Sequence, residues 1–150
     1  MSSDPIHFIF QSLIGEWSIQ RTIHSFQGNL LGTFTGKALY KESSPFLLHY
    51  HEEGCLHSEQ CESCAFKDYY FLYNKGIEIY FDPKLTRLFH VMEFEVGDGY
   101  PYQVKGIHYC GEDVYSMSYV FISKKEYEVT VFVRGPRKNY RISSNIIKFN

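Results

Sequence analysis

The sequence lacks any long apolar run. No stretch approaches the roughly 18 to 20 consecutive apolar residues that a membrane-spanning helix needs. The first residues show no basic segment leading into an apolar run and a small-residue cleavage site, so no secretory signal is expected. Cysteine is scarce, with 4 in 150 residues. Cys55, Cys61, Cys64 and Cys110 are too few and too unevenly spread for a disulfide scaffold, which points to a reducing, cytoplasmic setting. A strong charge of one sign is missing too. The formal net charge is −2 and the pI is near 6.4. That leaves no general basic surface for nucleic acid or for an anionic membrane. Repeats, linkers and low-complexity tracts are also absent.

Aromatic residues are abundant, with 13 Tyr and 13 Phe. Such residues suit pleated, half-buried surfaces, so the composition leans towards β-structure. Tyr adds a hydroxyl that can orient a molecule inside an apolar space. At 150 residues the chain is long enough for one domain with a real core.

Asp4-Pro5 reads as a helix start, an N-cap acceptor followed by Pro at the first helical position. Ile6, Ile9, Phe10 and Leu13 recur at spacings of three and four and form one apolar stripe, which Gly15 ends. From Trp17 onwards the period becomes two. Trp17, Ile19, Arg21 and Ile23 form one row, and Phe34, Gly36, Ala38 and Tyr40 another. Phe46, Leu48, Tyr50 and Glu52 follow, with His49 and His51 on the opposite face. Strands around 64–73 and 76–81 meet at Asn74-Lys75-Gly76. The next rows are Leu88, His90, Met92 and Phe94; Val104, Gly106, His108 and Cys110; and Tyr115, Met117, Tyr119 and Phe121. Strands at Tyr127–Val133 and about Tyr140–Phe149 complete the chain. Short turns join about ten strands. This pattern predicts a mainly β fold: a single closed antiparallel up-and-down β-barrel over residues 1–150, with a short N-terminal helix capping one end. Isolated glycines such as Gly36 and Gly106 are expected at bends of the barrel.

Side chains alternate across a strand, so the more apolar row of each strand faces inwards. The polar members of these rows are Arg21, Tyr50, Glu52, His90, His108, Cys110, Tyr115 and Tyr119. A buried arginine or glutamate is costly unless paired, so Arg21 and Glu52 are expected to find each other or a ligand. Two imidazoles, a carboxylate and several tyrosyl hydroxyls in a confined apolar space could hold a polar head group or move a proton.

Cys61-Glu62-Ser63-Cys64 has C-x-x-C spacing near His49, His51 and His57. A single such pair with outward-facing histidines favours a polar loop over a zinc site, and no metal ligand is assigned. In the basic turn Arg134-Gly135-Pro136-Arg137-Lys138, Arg137 and Lys138 either form a solvated hairpin tip or receive an anionic group at the barrel mouth.

Several motifs, taken in order, resemble those of the uncharacterised group known as domain of unknown function 6314. They are Leu13-Ile14-Gly15-Glu16-Trp17 with Arg21, Gly32-Thr33-Phe34-Thr35-Gly36-Lys37-Ala38, Tyr50-His51-Glu52-Glu53-Gly54, Phe89-His90 with Met92, His108-Tyr109-Cys110 with Asp113 and Tyr115, and Gly135-Pro136-Arg137-Lys138. The resemblance spans nearly the whole chain. It departs at Asp82-Pro83-Lys84-Leu85-Thr86-Arg87, where an Asp-Gly-Arg turn is expected before Phe-His. It implies a calycin-like barrel of the lipocalin/fatty-acid-binding type and brings no activity with it.

The leading expectation is a cytoplasmic barrel that binds a small, partly apolar ligand with an acidic or polar head group. The residues expected to line the site are Arg21, Tyr50, Glu52, His90, His108 and Tyr115, with Arg137 and Lys138 at the mouth. One alternative is a small-molecule isomerase, cyclase or hydrolase using inward His, Glu and Tyr. A second is a haem-binding barrel with an inward histidine as ligand. No cofactor is assigned, no nucleic-acid or membrane partner is expected, and a homodimer is left open.

Overall fold

In a computed structural model, residues 4–59, 62–95 and 97–149 are described. Helix α1 spans Pro5–Ser12, and the Asp4 side chain accepts the Ile6 N–H at 3.1 Å as its N-cap. The strands follow as β1 (Gly15–Ser25), β2 (Leu30–Ser44), β3 (Leu47–His57), β4 (Glu62–Tyr73), β5 (Ile77–Tyr80), β6 (Leu88–Phe94), β7 (Tyr102–Cys110), β8 (Asp113–Ser123), β9 (Glu126–Arg134) and β10 (Asn139–Lys148). Each strand pairs antiparallel with the next, and β1 pairs with β10, which closes the barrel. Closure removes the free sheet edges, although β6 and β7 pair only at Glu93–Lys105 and Phe94–Val104.

The meander sorts the turns into two ends. The β2–β3, β4–β5, β6–β7 and β8–β9 connections lie at the end occupied by α1. The other end is the mouth, where the remaining connections lie. Helix α1 plugs its end with Ile9, Phe10 and Leu13, each 1% exposed. The Trp17 indole N–H donates to the Leu13 carbonyl at 2.8 Å, and Lys148 Nζ donates to the Ser12 carbonyl at 2.7 Å. These two bonds satisfy carbonyls at the helix C-terminus that have no partner within the helix. Gly15, at φ +130°, makes the turn from helix into β1.

The core lies inside the barrel, and the expected alternation holds for most rows. Trp17 and Ile19 on β1, Phe34, Ala38 and Tyr40 on β2, and Met117, Tyr119 and Phe121 on β8 are buried. Each of the larger of these side chains contributes about 1.5–3 kcal/mol by leaving water. Two members of the expected rows face outwards. Phe46 precedes β3 and is 52% exposed, and Leu88 is 45% exposed. For Leu88 the reason is a bulge: Ile79 pairs with His90 but Tyr80 pairs with Leu88, which leaves Phe89 as the extra residue. A bulge turns adjacent residues to unexpected sides of the sheet. Phe89, not Leu88, joins His90 in lining the interior.

The glycines of the strands mark close approaches. Gly36 and Gly54 lie opposite each other on β2 and β3. A Cβ at Gly36 would clash with the Glu53 carbonyl oxygen and come 2.8 Å from the Phe34 ring, and one at Gly54 would clash with the Thr35 carbonyl oxygen and come 2.8 Å from the same ring. The Phe34 ring therefore packs over both glycines, where the two strands approach closely. At Gly106 a Cβ would lie 2.5 Å from His90 Cδ2. At Gly106 the His90 ring takes the space of a side chain, and at Gly36 and Gly54 the backbone of the facing strand does so together with the Phe34 ring.

Candidate functional site

Between the plugged end and the mouth the barrel encloses a cavity of about 520 Å³. Its lower part is aromatic and tightly packed. Trp17 meets Tyr127 edge to face, with ring centroids 5.3 Å apart, and the Tyr40 and Tyr127 hydroxyls lie 2.6 Å apart. Burial raises the pKa of both tyrosines far above the ordinary phenol value, so both stay neutral.

One layer higher stands a charged cluster built by β1, β3 and β10. Arg21 donates from Nη1 to Glu52 Oε2 at 2.7 Å and from Nη2 to Glu52 Oε1 at 3.1 Å. Arg21 Nε donates to Ser144 Oγ at 2.8 Å, and the Tyr50 hydroxyl donates to Glu52 Oε1 at 2.6 Å. The guanidinium lies over the Phe34 ring, 4.9 Å from its centroid. Burial alone would raise the Glu52 pKa, but the bonds and charge of Arg21 and the Tyr50 bond outweigh it, and the net shift is downwards. Burial alone would likewise lower the Arg21 pKa, but Glu52 outweighs it and the net shift is upwards. The pair is therefore ionised, and its two planar groups hold each other in one orientation.

Across the cavity His90 is 2% exposed, and its Nε2 lies 2.7 Å from the Tyr119 hydroxyl. His90 Nδ1 is buried without a hydrogen-bond partner. An orphaned buried N–H is rarer than an under-used acceptor, which assigns the proton to Nε2. His90 then donates to Tyr119, and the Tyr119 hydroxyl proton is free to point into the cavity. Burial, with a smaller push from His108, lowers the His90 pKa to about 3, so the imidazole is neutral.

Nearer the mouth the walls are aromatic. Tyr69 and Phe89 stack at 5.2 Å and 12°, and His108 meets Phe81 and Phe89 edge to face. Burial raises the Tyr69 pKa to about 12. Tyr115 lines the cavity, and its hydroxyl accepts a bond from Lys138 Nζ at 3.3 Å.

The structure thus brings Arg21, Tyr50, Glu52, His90, His108 and Tyr115 to one cavity. Arg137 and Lys138 lie in the β9–β10 turn at the mouth and do not line it. Lys138 instead reaches Asp113 at 3.4 Å as well as Tyr115. Sequence reasoning missed Lys67, whose side chain lies on the inward row of β4 beside Glu52. It also missed Phe89. Lys67 could have been found by continuing the alternation back from Phe71 through Tyr69, and Phe89 had no signal before the bulge was known.

The outer face of β3 and β4 carries the remaining histidine and cysteine motifs. His49 Nε2 and His51 Nδ1 each lie 2.8 Å from Asp68 Oδ1. Cys61 lies outside the described residues, and Cys64 stands opposite Cys55. Among the described residues no group of three or more His, Cys, Asp or Glu side chains is arranged to hold a metal ion. No helix among them is long and apolar enough to cross a membrane.

A sequence profile of the Family of unknown function (DUF6314) matches residues 13–148. Among solved structures, the chain is similar to the S-type phycobiliprotein lyase CPES from Guillardia theta, with a TM-score of 0.65 and 9% identity, over 100% of this chain and 99% of that one. It is also similar to a redesigned β-barrel, b11L5F_LGL, with a TM-score of 0.47 and 12% identity over 100% of both chains. No curated protein sequence matches the chain.

Proposed function

The chain belongs to the Family of unknown function (DUF6314), and we propose that it is a binding barrel that holds a small, partly apolar molecule by its polar end. The observation that carries this reading is the cavity of about 520 Å³, within the range of about 300–1,000 Å³ typical of small-molecule sites. Its walls are mostly aromatic and aliphatic, and a few fixed polar groups converge on it. Arg21, Glu52, Tyr50 and Ser144 are already bonded to one another, so their orientation is set before a ligand arrives. Such preorganisation reduces the ordering cost of binding. The Tyr119 hydroxyl offers a donor from the opposite wall.

The same geometry favours binding over acid–base catalysis or haem ligation by His90. Nε2 is engaged with Tyr119, and Nδ1 is shut away from the cavity. A general base or a haem ligand needs a nitrogen open to its partner.

Native mass spectrometry of the purified chain, together with titration of the neutral dye N-phenyl-1-naphthylamine, tests the proposal. Val131 on β9 lines the cavity, and a small-molecule adduct lost on denaturation, or saturable one-to-one dye binding that Val131→Trp abolishes without unfolding, is the expected result. Neither adduct nor saturable dye binding would overturn it.

A further inference from the structure

We infer that the ligand of this cavity is an organic anion, carboxylate-like in charge, and that Lys67 is the residue that selects it. The inference rests on the binding reading above and assigns it a ligand class. The ionised groups lining the cavity are Arg21, Lys67 and Glu52, two cations against one anion. Both Glu52 oxygens are committed, Oε2 to Arg21 and Oε1 to Arg21 and Tyr50. Lys67 stands directly across the ladder from Glu52, yet among the described residues it has neither a hydrogen bond nor an ion pair within 4.0 Å.

Lys67 is exposed, yet its side chain lines the cavity. Partial desolvation and the nearby Arg21 charge both act against its protonated form, and the attraction of Glu52 only partly offsets them. A cation so placed gains most from a ligand that brings the missing negative charge. The space beside it suits a flat body, since Tyr69 follows Lys67 on the same inward row and stacks with Phe89. The Tyr119 proton supplies a second donor. Arg21 acts here as a positioning residue, because its fork is taken by Glu52 and Ser144.

A matched pair of dyes isolates the charge. 1-Anilinonaphthalene-8-sulfonate is N-phenyl-1-naphthylamine carrying one added sulfonate. The full chain is expected to bind the sulfonate more tightly than the neutral dye. Lys67→Met is expected to weaken sulfonate binding about tenfold or more, the size of one charge-assisted bond, and to leave neutral-dye binding within about twofold. Lys67→Arg should restore the sulfonate. Equal effects of Lys67→Met on both dyes, or none on either, would overturn the anion assignment while leaving the binding cavity intact. Failure of both dyes to bind the unaltered chain would instead overturn this inference, and with no native adduct either it would overturn the binding reading as well.

A separate observation points to a modification site on the outer wall. The Tyr73 N–H donates to the Phe46 carbonyl at 2.9 Å, one step beyond the Leu47–Leu72 pair of the β3–β4 register. That makes Phe46 and Tyr73 a hydrogen-bonded pair. Hydrogen-bonded and non-hydrogen-bonded pairs alternate along an antiparallel ladder, and the β3–β4 register is unbroken. Cys55 and Cys64 lie an odd number of steps away and form a non-hydrogen-bonded pair. Cα atoms of such pairs are about 4.5 Å apart, within the range of about 4.4–6.8 Å that a disulfide spans. Both thiols are free and exposed.

We propose that Cys55 and Cys64 form a reversible cross-strand disulfide with a small-molecule disulfide such as oxidised glutathione. One cysteine thiolate attacks the external S–S bond and expels one glutathione thiolate. The other cysteine thiolate then displaces the second. The protein gains an S–S bond, the external one is reduced, and the two thiol protons leave with the products. Treatment of the full chain and of Cys61→Ser with oxidised glutathione, followed by non-reducing peptide mapping, should give a Cys55–Cys64 link in both. A Cys61–Cys64 link as the main product, or only mixed disulfides, would overturn the assignment.

Discussion

Arg21 and Glu52 are separated by the whole of β2, yet the guanidinium holds both carboxylate oxygens, at 2.7 and 3.1 Å. The Arg21 and Glu52 side chains are 16% and 5% exposed, so neither charge is fully solvated if its partner is removed. The two removals are not equivalent, because Lys67 stands beside the pair. Glu52→Met leaves two cations facing each other, whereas Arg21→Met leaves the carboxylate with Tyr50 and Lys67. Glu52→Met is expected to cost about 3 kcal/mol, the lower end for a broken buried pair, and Arg21→Met less. Adding Lys67→Met to Glu52→Met should regain part of the loss. Urea unfolding of the unaltered chain and these three variants measures this. An Arg21→Met cost equal to or above that of Glu52→Met would remove Lys67 from the account.

Gly106 offers a sharper steric test. Its missing side chain is the space filled by His90 Cδ2, 2.5 Å from where a Cβ would stand. Gly106→Ala is expected to destabilise the barrel by about 1–3 kcal/mol, as overpacking of a rigid interior does. In a His90→Ala background the same substitution should cost far less, because the ring it strikes is gone. Equal costs in the two backgrounds, read from thermal or urea unfolding, would contradict the contact.

The sequence made the barrel and much of its interior legible wherever one face of a strand was clearly more apolar than the other. The Trp17–Ile23 and Tyr115–Phe121 rows are such cases, and their parity carried Arg21, Tyr115 and Tyr119 to the cavity side. Strand β4 gave no such contrast. Ala65, Tyr69 and Phe71 on one face are matched by Phe66, Tyr70 and Leu72 on the other, so the period-two signal cancels and Lys67 stayed hidden. At β6 the bulge shifted parity between Leu88 and Phe89, a step no alternation rule can anticipate. Gly36 and Gly106 were visible as exceptions, but what crowds them was not, because it includes the β3 backbone and the Phe34 ring in one case and the His90 ring from β6 in the other. The orientation of Lys138 depended on Asp113 and Tyr115, 25 and 23 residues earlier.

The plug at the closed end depends on one indole N–H. Trp17→Phe removes the bond to the Leu13 carbonyl and leaves that buried acceptor with one partner fewer. The expected loss is about 1–3 kcal/mol. It should be felt locally as well. Amide hydrogen exchange across Pro5–Ser12 is expected to accelerate more than exchange in β8 and β9, because the helix would open without the barrel. Uniform acceleration throughout the chain would mean that the helix and barrel unfold as one unit.

His90 makes the barrel sensitive to pH on the acid side of neutrality. Its pKa falls from 6.5 to about 3 on burial. As pH drops below 6.5, the unfolded chain takes up a proton that the folded barrel refuses until about pH 3. The His90 contribution is therefore fully present above pH 6.5 and is lost on the way down, at up to about 1.4 kcal/mol per pH unit. The opposite sign holds for His51, whose bond to Asp68 raises its pKa; its smaller contribution grows as pH falls. Glu52, with its lowered pKa, adds a loss only below the ordinary carboxylate value of 4.5. The interval between pH 6.5 and 4.5 thus isolates His90 when the chain is compared with His90→Gln, which keeps a donor for Tyr119 and cannot titrate. Urea unfolding at several pH values should give a steeper decline for the unaltered chain. Parallel curves would mean that the folded barrel accepts the proton on His90. That proton would sit on Nδ1, where the buried site supplies no acceptor, while Nε2 would still donate to Tyr119.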